Sequence, residues 1–423
     1  MDHQVSLDVT RPFFRLGSPD GVPVGQSWHY GLAWPLQVGK RSWGVMCNLR
    51  RDESPAVDFE AGTDFVPMDI NGQAGVASPV SRNHVERHPV TGEDFVMVKY
   101  PATGGFVPAG ALRSDGSPHA HEGTGFGIVH AIGFPKRLLG GNERVRFPDD
   151  PYQYAEVHQY EIVGGTLRVT GTARTPVEDS RAGVLYAGTS FTAAIPDADD
   201  LLFAMRGTER SEDQSAACGV ARWQRRGGIW QVVDFAAVPG AEGRFEPSIG
   251  RARDGSLIFC ARGAYHDDHD RLRVWRSTDG RTWREAVDEP GLLTCSPVTV
   301  NVSGDGSPYV AGNPRDDSAV DNRGVLVVWP VTSGGGIGEP VTVLDGAAAF
   351  GPSAHESGWM IDHPAGATVR GADGVLRHVL VFRVADGGEV RAGASASPAT
   401  GCYLTELHTR GPSESVWRFA EES

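Results

Sequence analysis

The stretch RLRVWRSTDGRTWREA, residues 271–286, decides the fold class of this chain. Its centre places Asp279 and Gly280 between two runs of residues that are typical of strands. The side chains of Ser277 and Asp279 can accept hydrogen bonds from the amides of a tight turn, and Gly280 can adopt the positive φ that the turn requires. Trp283 can then be buried beneath the turn. The stretch therefore predicts a β-hairpin closed by an Asp-Gly turn.

Asp-Gly pairs recur along the chain, at residues 20–21, 115–116, 254–255, 305–306 and 373–374, near other strand-like runs. No amphipathic helical pattern of about 12 residues accompanies them. Short strands separated by such turns are typical of a sandwich, a barrel or a propeller. The chain has 423 residues, which is long for one sandwich, whereas six or seven blades of about 40–70 residues fit. We therefore expect an all-β β-propeller, six-bladed by preference and seven-bladed as the alternative, forming one domain over residues 1–423.

Composition excludes several classes of partner. The net charge is −14, and Lys40, Lys99 and Lys136 are the only lysines. Such a chain is poorly suited to binding nucleic acid or an anionic membrane surface. No apolar run reaches the roughly 18 residues that a membrane span needs. The first residues lack the charged and apolar regions of a secretory signal, so we expect a cytoplasmic protein, or a secreted one if the chain is a processed form.

The hairpin at residues 277–283 resembles the Asp-box of the sialidase superfamily, whose members are β-propellers. The resemblance extends over roughly residues 240–330 and is carried by further matches in the family's order: Phe245-Glu246-Pro247-Ser248, Asp254-Gly255-Ser256-Leu257, Ala261-Arg262-Gly263, Gly312-Asn313-Pro314 and Arg323. It implies a sialidase-like fold.

The resemblance also implies that three arginines bind a substrate carboxylate. Arg262 and Arg323 match two of them, and Arg15 would be the third. A guanidinium group suits this role because it donates two parallel hydrogen bonds to a carboxylate. Glu246 would be the carboxylate that activates a Tyr nucleophile, since a phenol is almost un-ionised at neutral pH. A structural ion pair at Arg262, or a turn cap at Glu246, would also explain these two residues.

The chain departs from the family where sialidases carry their nucleophilic Tyr. Residues 357–366 contain Asp362 and His363 but no Tyr, and Tyr403 is the nearest candidate downstream. Either the nucleophile has moved, or the chemistry is different.

The histidines suggest such a different chemistry. His119 and His121 are two residues apart, so on a strand they would share one face and point together into a propeller funnel. A neutral His can act as a base or as a metal ligand. We therefore take His119, His121, Asp362 and His363 as candidate catalytic residues beside Glu246. We predict no cofactor, and a divalent metal held by His residues stays an open alternative.

Three functions follow from these residues. The first is a sialidase-like exo-glycoside hydrolase that acts on an acidic oligosaccharide or polysaccharide. The second is a polysaccharide lyase that uses His and Tyr for β-elimination on a uronate. The third is a propeller that binds a glycan or a protein without catalysis.

Overall fold

The structure is a computed structural model. It describes residues 8–9, 14–16, 28–51, 60–69, 74–138, 152–163, 166–180, 183–186, 190–208, 216–263, 268–316, 323–333, 335–353, 358–386, 399–408 and 413–420.

Six antiparallel sheets form the six blades of a β-propeller, as the sequence predicted. Two short strands, β1 (Asp8–Val9) and β2 (Phe14–Arg15), come before blade I. Blade I consists of β3 (Trp28–Gly39), β4 (Ser42–Arg51), β5 (Glu60–Met68) and β6 (Ser78–Arg82). The sheet of blade II consists of β7 (His84–Arg87), β8 (Asp94–Lys99), β9 (Thr103–Val107), β11 (Thr124–Pro135), β12 (Gln153–Val163) and β13 (Thr166–Thr175), and a short strand β10 (Ala111–Leu112) lies between β9 and β11.

Blades III to VI follow in chain order. Blade III consists of β14 (Glu178–Asp179), β15 (Val184–Leu185), β16 (Ile195–Asp197), β17 (Asp200–Gly207), β18 (Ala217–Arg226) and β19 (Ile229–Glu242). Blade IV consists of β20 (Phe245–Arg251), β21 (Leu257–Arg262), β22 (Leu272–Ser277) and β23 (Arg284–Glu289). Blade V consists of β24 (Thr299–Val302), β25 (Pro308–Gly312), β26 (Val325–Pro330) and β27 (Val341–Asp345). Blade VI contains β28 (Trp359–Arg370), β29 (Leu376–Asp386) and β30 (Gly401–His408).

The other regular elements are small. A 3₁₀ turn (Lys136–Leu138) follows β11, and one short helix, α1 (Gly346–Phe350), follows β27. The last strand, β31 (Arg418–Phe419), pairs with β10. Within the described residues, no helix is long and apolar enough to cross a membrane.

Contacts between neighbouring blades close the ring. The inner strands follow one another, since β20 contacts β24, β24 contacts β28, β28 contacts β3 and β3 contacts β9. Blade III completes the circle through contacts of β17 with both β9 and β20. The N-terminal strands β1 and β2 pair with β30, so the beginning of the chain becomes the outer part of the last blade. This pairing ties the two ends of the propeller together.

Three of the Asp-Gly pairs outside the hairpin at 277–283 connect strands as the sequence indicated, and the pair at residues 20–21 lies outside the described residues. Residues 254–255, 305–306 and 373–374 join the first and second strands of blades IV, V and VI. In blade IV, the Asp254 carboxylate accepts a 3.1 Å hydrogen bond from the backbone N of Ser256, and Gly255 has a φ of 83°. Each of these turns follows the last residue of an inner strand. The turns therefore lie at the opposite end of the propeller from the first residues of those strands.

The hairpin at residues 277–283 has the contacts expected from its sequence. Asp279 Oδ1 accepts hydrogen bonds from the backbone N of Arg281 at 2.8 Å and of Thr282 at 2.7 Å. Gly280 has a φ of 75°, and the buried Trp283 ring packs 5.6 Å from that of Phe259. A buried side chain thus anchors the turn to the core of blade IV.

Candidate functional site

The structure brings five of the predicted residues together at one end of blades IV, V and VI. Glu246 lies at the start of β20, and Arg262 lies beside it at the end of the antiparallel β21. Arg323 comes just before β26, and its backbone bridges to Met360. Asp362 and His363 lie near the start of β28. These side chains therefore surround the same end of the inner strands, which we call the funnel end.

A hydrogen-bond network links these residues through one backbone carbonyl. Arg262 donates from Nη1 to Glu246 Oε2 at 3.0 Å and from Nη2 to the carbonyl O of Cys295 at 3.3 Å. Arg323 donates from Nη2 to the same Cys295 oxygen at 2.7 Å. Its Nη1 donates to Asp362 Oδ2, also at 2.7 Å. The network thus runs without a break from Glu246 in blade IV to Asp362 in blade VI.

Asp362 is the most heavily bonded carboxylate of the network. Arg383 donates from Nε and Nη2 to its two oxygens, at 2.8 and 2.7 Å, and His363 Nδ1 lies 2.8 Å from Oδ1. The side chain of Asp362 is fully buried. Burial alone would raise its pKa, but Arg383, His363 and Arg323 outweigh that effect and hold the pKa well below its usual range. Asp362 is therefore a permanent anion.

His363 is oriented by this anion. Its Nδ1 faces Asp362 Oδ1 and must carry the proton of that hydrogen bond, which leaves Nε2 as the acceptor nitrogen. The ring packs edge-on against Phe191, with 4.9 Å between the centroids. Burial lowers the pKa of His363 below its usual value, against the opposing effect of Asp362. The side chain is 11% exposed, and its Nε2 forms no hydrogen bond with another described residue. His363 is thus a neutral imidazole with one free lone pair.

Glu246 and His363 share an unusual backbone conformation. Their φ angles are 48° and 52°, and Ala198 is the only other non-glycine among the described residues with a positive φ. Each begins a β-bulge in which two residues of the inner strand lie opposite one residue of the next strand. Each is followed by proline, at Pro247 and Pro364. The same combination of a left-handed residue, a following proline and a β-bulge therefore directs a polar side chain toward the funnel end in blades IV and VI.

Blade II has a comparable bulge that the sequence reasoning missed. Lys99 pairs with Ala131 and Thr103 pairs with Ile128, so the inner side again has one extra residue. Tyr100 there precedes a proline, as Glu246 and His363 do. It is half-buried, and its ring stacks on His130 at 5.8 Å. A polar or aromatic residue before Pro, at the start of an inner strand, is the sequence signal that marks these positions.

Sequence reasoning also missed Arg383 and Cys295. Arg383 lies in the apolar run of β29, and Cys295 contributes its backbone oxygen and its Sγ, which lies 3.5 Å from Arg262 Nη2. No local pattern distinguishes either residue. Arg383 pairs with Asp362 across the bulge, just as Arg262 pairs with Phe245 in blade IV. Arg262 and Arg383 therefore occupy equivalent positions in blades IV and VI, and this equivalence can be recognised only when the strand pairing is known.

His119 and His121 lie elsewhere, in a turn before β11 rather than on a strand. His119 Nε2 lies 3.0 Å from the carbonyl O of Ala198, and its Nδ1 accepts a hydrogen bond from the backbone N of His121. Ala198 follows Asp197, which forms an ion pair with Arg251 at the far end of β20. The structure therefore places both histidines at the end of the propeller opposite to Glu246.

The remaining candidates are placed as follows. The backbone of Arg15 pairs with Tyr403 in blade VI, and the Arg15 side chain lies outside the described residues, as do residues 354–357. Tyr403 is buried between blades V and VI, where its hydroxyl donates to the carbonyl O of Ala399 at 2.8 Å. Its hydroxyl thus has an internal partner. Within the part of the chain that the structure describes, no three His, Cys, Asp or Glu residues are grouped as metal ligands would be.

Comparison with known proteins supports the fold. No protein-family profile and no curated protein sequence matches the chain. Among solved structures, a protein of unknown function from Dyadobacter fermentans aligns over 96% of this chain and 99% of its own, with a TM-score of 0.55 and 11% identity. A mutant of the NanB sialidase from Streptococcus pneumoniae aligns over 93% of this chain and 70% of its own, with a TM-score of 0.53 and 10% identity. At such identity the likeness shows a sialidase-like propeller fold and nothing about activity.

Proposed function

We propose that this chain is a carbohydrate-active hydrolase that cleaves a glycosidic bond at the funnel end, with Glu246 and His363 as its acid–base pair. The observation that carries the proposal is the shared left-handed bulge that presents both residues to one network. Backbone strain of this kind concentrates at functional sites, where the surrounding structure holds it in place. The sialidase-like fold is compatible with this reaction class.

Hydrolysis needs one group to take a proton from water and another to protonate the leaving oxygen. Neutral His363 suits the first role through its free Nε2, and Asp362 would stabilise the imidazolium that forms. In its protonated form, with the proton on Oε1, Glu246 suits the second role and gives that proton to the leaving oxygen. Its Oε2 is bound by Arg262, whereas its Oε1 forms no hydrogen bond with another described residue. The bond from the anomeric carbon to the leaving oxygen breaks as a new bond to the water oxygen forms.

The exposure of each side chain separates the residues that can contact a substrate from the one that cannot. The side chains of Glu246, Arg323 and His363 are 19%, 12% and 11% exposed, so a substrate can reach them. Asp362 is fully buried and cannot touch a substrate. We therefore assign Asp362 as a positioning residue that orients His363 and Arg323.

The test measures new reducing ends released from a panel of neutral and acidic glycans by Glu246→Gln and His363→Gln variants. Each change should lower turnover by about 10²-fold or more, the usual cost of losing an acid–base group. Glu285→Gln, an exposed carboxylate on β23, and His121→Gln, in the turn at the opposite end, serve as matched controls. Unchanged turnover in Glu246→Gln on every glycan cleaved would contradict the assignment.

A polysaccharide lyase is the second candidate, because a neutral His363 with a free Nε2 is also the base that β-elimination from a uronate needs. Absorbance near 235 nm separates the two reactions, since only a lyase creates a conjugated unsaturated uronate. Growth of that absorbance during digestion would favour the lyase. Glycan binding without any product would instead favour a non-catalytic propeller.

A further inference from the structure

We infer that the substrate presents an uncharged sugar to Arg262, Arg323 and Arg383 of the funnel end, because carboxylates of the chain itself already bind these arginines as a substrate carboxylate would. This assignment of substrate class rests on the proposed function and makes it more specific. It differs from the acidic substrate that the resemblance to sialidases implied.

The contacts of Asp362 are those that a bound substrate carboxylate would make. Arg383 donates two parallel hydrogen bonds, at 2.8 and 2.7 Å, in the fork geometry that matches a carboxylate. Arg323 adds a third at 2.7 Å, and His363 Nδ1 lies 2.8 Å from the same group. The carboxylate belongs to the chain itself and is fully buried. Arg323 in blade V and Arg383 in blade VI are therefore already bound to a carboxylate of the chain itself.

Arg262 is occupied in the same way. It donates to Glu246 and to the carbonyl O of Cys295, and its side chain is only 5% exposed, as is that of Arg383. To form a two-bond fork with one of these arginines, a substrate carboxylate would have to displace Glu246 or Asp362. The displaced carboxylate would then be left buried without its partner, which is strongly unfavourable.

The charge balance of the network agrees with these contacts. While Glu246 is ionised, before it takes up the proton for the leaving oxygen, Arg262, Arg323 and Arg383 carry three positive charges, and Glu246 and Asp362 carry two negative ones, which leaves 3 − 2 = +1. Three arginines without internal carboxylates would carry +3. The pairing of these arginines with internal carboxylates weakens the electrostatic attraction for an acidic sugar. Glu246 and His363 would then contact the hydroxyl and ring oxygens of an uncharged sugar.

The first experiment removes the Asp362 carboxylate from the network. The Asp362→Ala variant should melt at a lower temperature than the native chain, and sodium formate should raise its melting temperature progressively, because formate restores the missing carboxylate. Formate should leave the melting temperature of the native chain unchanged relative to sodium chloride. Asp373→Ala is the matched control, since Asp373 binds both terminal nitrogens of Arg377 in a turn at the other end. Equal stabilisation of all three proteins by formate would overturn the inference.

The second experiment compares matched substrates on the native chain, so it does not depend on any variant folding. The 4-nitrophenyl glucosides and galactosides are each paired with the corresponding glucuronide or galacturonide. The neutral member should have a kcat/KM at least about tenfold higher. Preference for the uronic member would overturn the inference while leaving the hydrolase intact. A third outcome is that formate stabilises only the Asp362→Ala variant and that the native chain cleaves no glycoside or glycan. The proposal of a hydrolase would then be wrong, whereas the role of Asp362 as an internal carboxylate would stand.

Discussion

Glu246 in blade IV and His363 in blade VI occupy equivalent positions of two blades. Each is the first residue of a two-residue bulge in an inner strand, with φ of 48° and 52°, and each precedes a proline. Both face the network that joins Arg262, the carbonyl O of Cys295 and Arg323. A left-handed backbone is unfavourable for residues with a Cβ, so its use at these two positions indicates that side-chain direction matters there more than local stability.

The backbone conformation of His363 predicts a difference between two substitutions that both remove the imidazole. His363→Asn should keep the fold, because Asn tolerates a left-handed conformation. His363→Val should lower the free energy of unfolding by about 1 kcal/mol more than Asn does, since a β-branched residue is strained at a positive φ. Denaturant unfolding of the two variants measures the difference. A Val variant as stable as the Asn variant would show that the strain is relieved by local rearrangement.

The pKa of His363 predicts the acidic limb of the activity profile. Burial lowers this pKa below 6.5, so the neutral imidazole is present at neutral pH and is lost only as the pH falls through the lowered value. On its acidic side, a plot of kcat/KM against pH should therefore fall as the pH decreases through the lowered pKa of His363. Asp362→Asn removes a charge that raises this pKa, so the limb should move to lower pH.

His121→Gln is the control for that profile, because His121 lies at the opposite end of the propeller and should leave the limb in place. An acidic limb that stays at the same pH in Asp362→Asn would mean that neutral His363 is not the group whose loss lowers the activity. The base role proposed here would then be wrong.

The fold could be predicted from sequence because its determinants are local. The hairpin at residues 277–283 contains its turn carboxylate, its positive-φ glycine and its buried Trp283 within seven residues. Repetition of Asp-Gly turns along 423 residues then indicates many similar blades. The length allowed six or seven blades, with six preferred, and the structure has six.

The candidate site could be predicted only in part. Glu246, Arg262 and Arg323 lie in local sequence patterns that resemble those of a known family, and Asp362 and His363 are adjacent polar residues. The contacts of Arg383 with Asp362 and of two arginines with one carbonyl oxygen depend on how strands pair and how blades meet. His119 and His121 show the converse, because a two-residue spacing implies a shared face only on a strand, and they lie in a turn.

The anchoring of the hairpin by Trp283 predicts a large effect on stability without an effect on catalysis. Trp283→Ala should lower the free energy of unfolding by about 3 kcal/mol, because it removes a buried aromatic ring that packs on Phe259. The turn lies at the end of the blade opposite to Glu246, so kcat/KM of the folded variant should be unchanged. Trp283→Phe, which keeps an aromatic ring, should cost less. A loss of activity at full folding would contradict this separation of roles.

His378 predicts how the free energy of unfolding depends on pH. It is buried between Tyr309 and Thr368, whose hydroxyl oxygens lie 2.7 and 3.0 Å from its Nε2 and Nδ1. Burial lowers its pKa from 6.5 to about 3. Between these values the unfolded chain binds a proton that the folded chain does not. This contribution is therefore fully present above pH 6.5 and is lost as the pH falls toward 3, with a slope of ~1.4 kcal/mol per pH unit.

Denaturant unfolding at a series of pH values measures the slope, and His378→Gln should make it shallower by that amount. His408→Gln, at an exposed position on β30, should leave the slope unchanged. If His378→Gln does not fold, an NMR titration of the native chain replaces it. The His378 ring should then stay neutral down to pH 4, because burial disfavours the charged imidazolium and neither hydroxyl neutralises it. A ring that titrates near 6.5 would contradict the proposed cause.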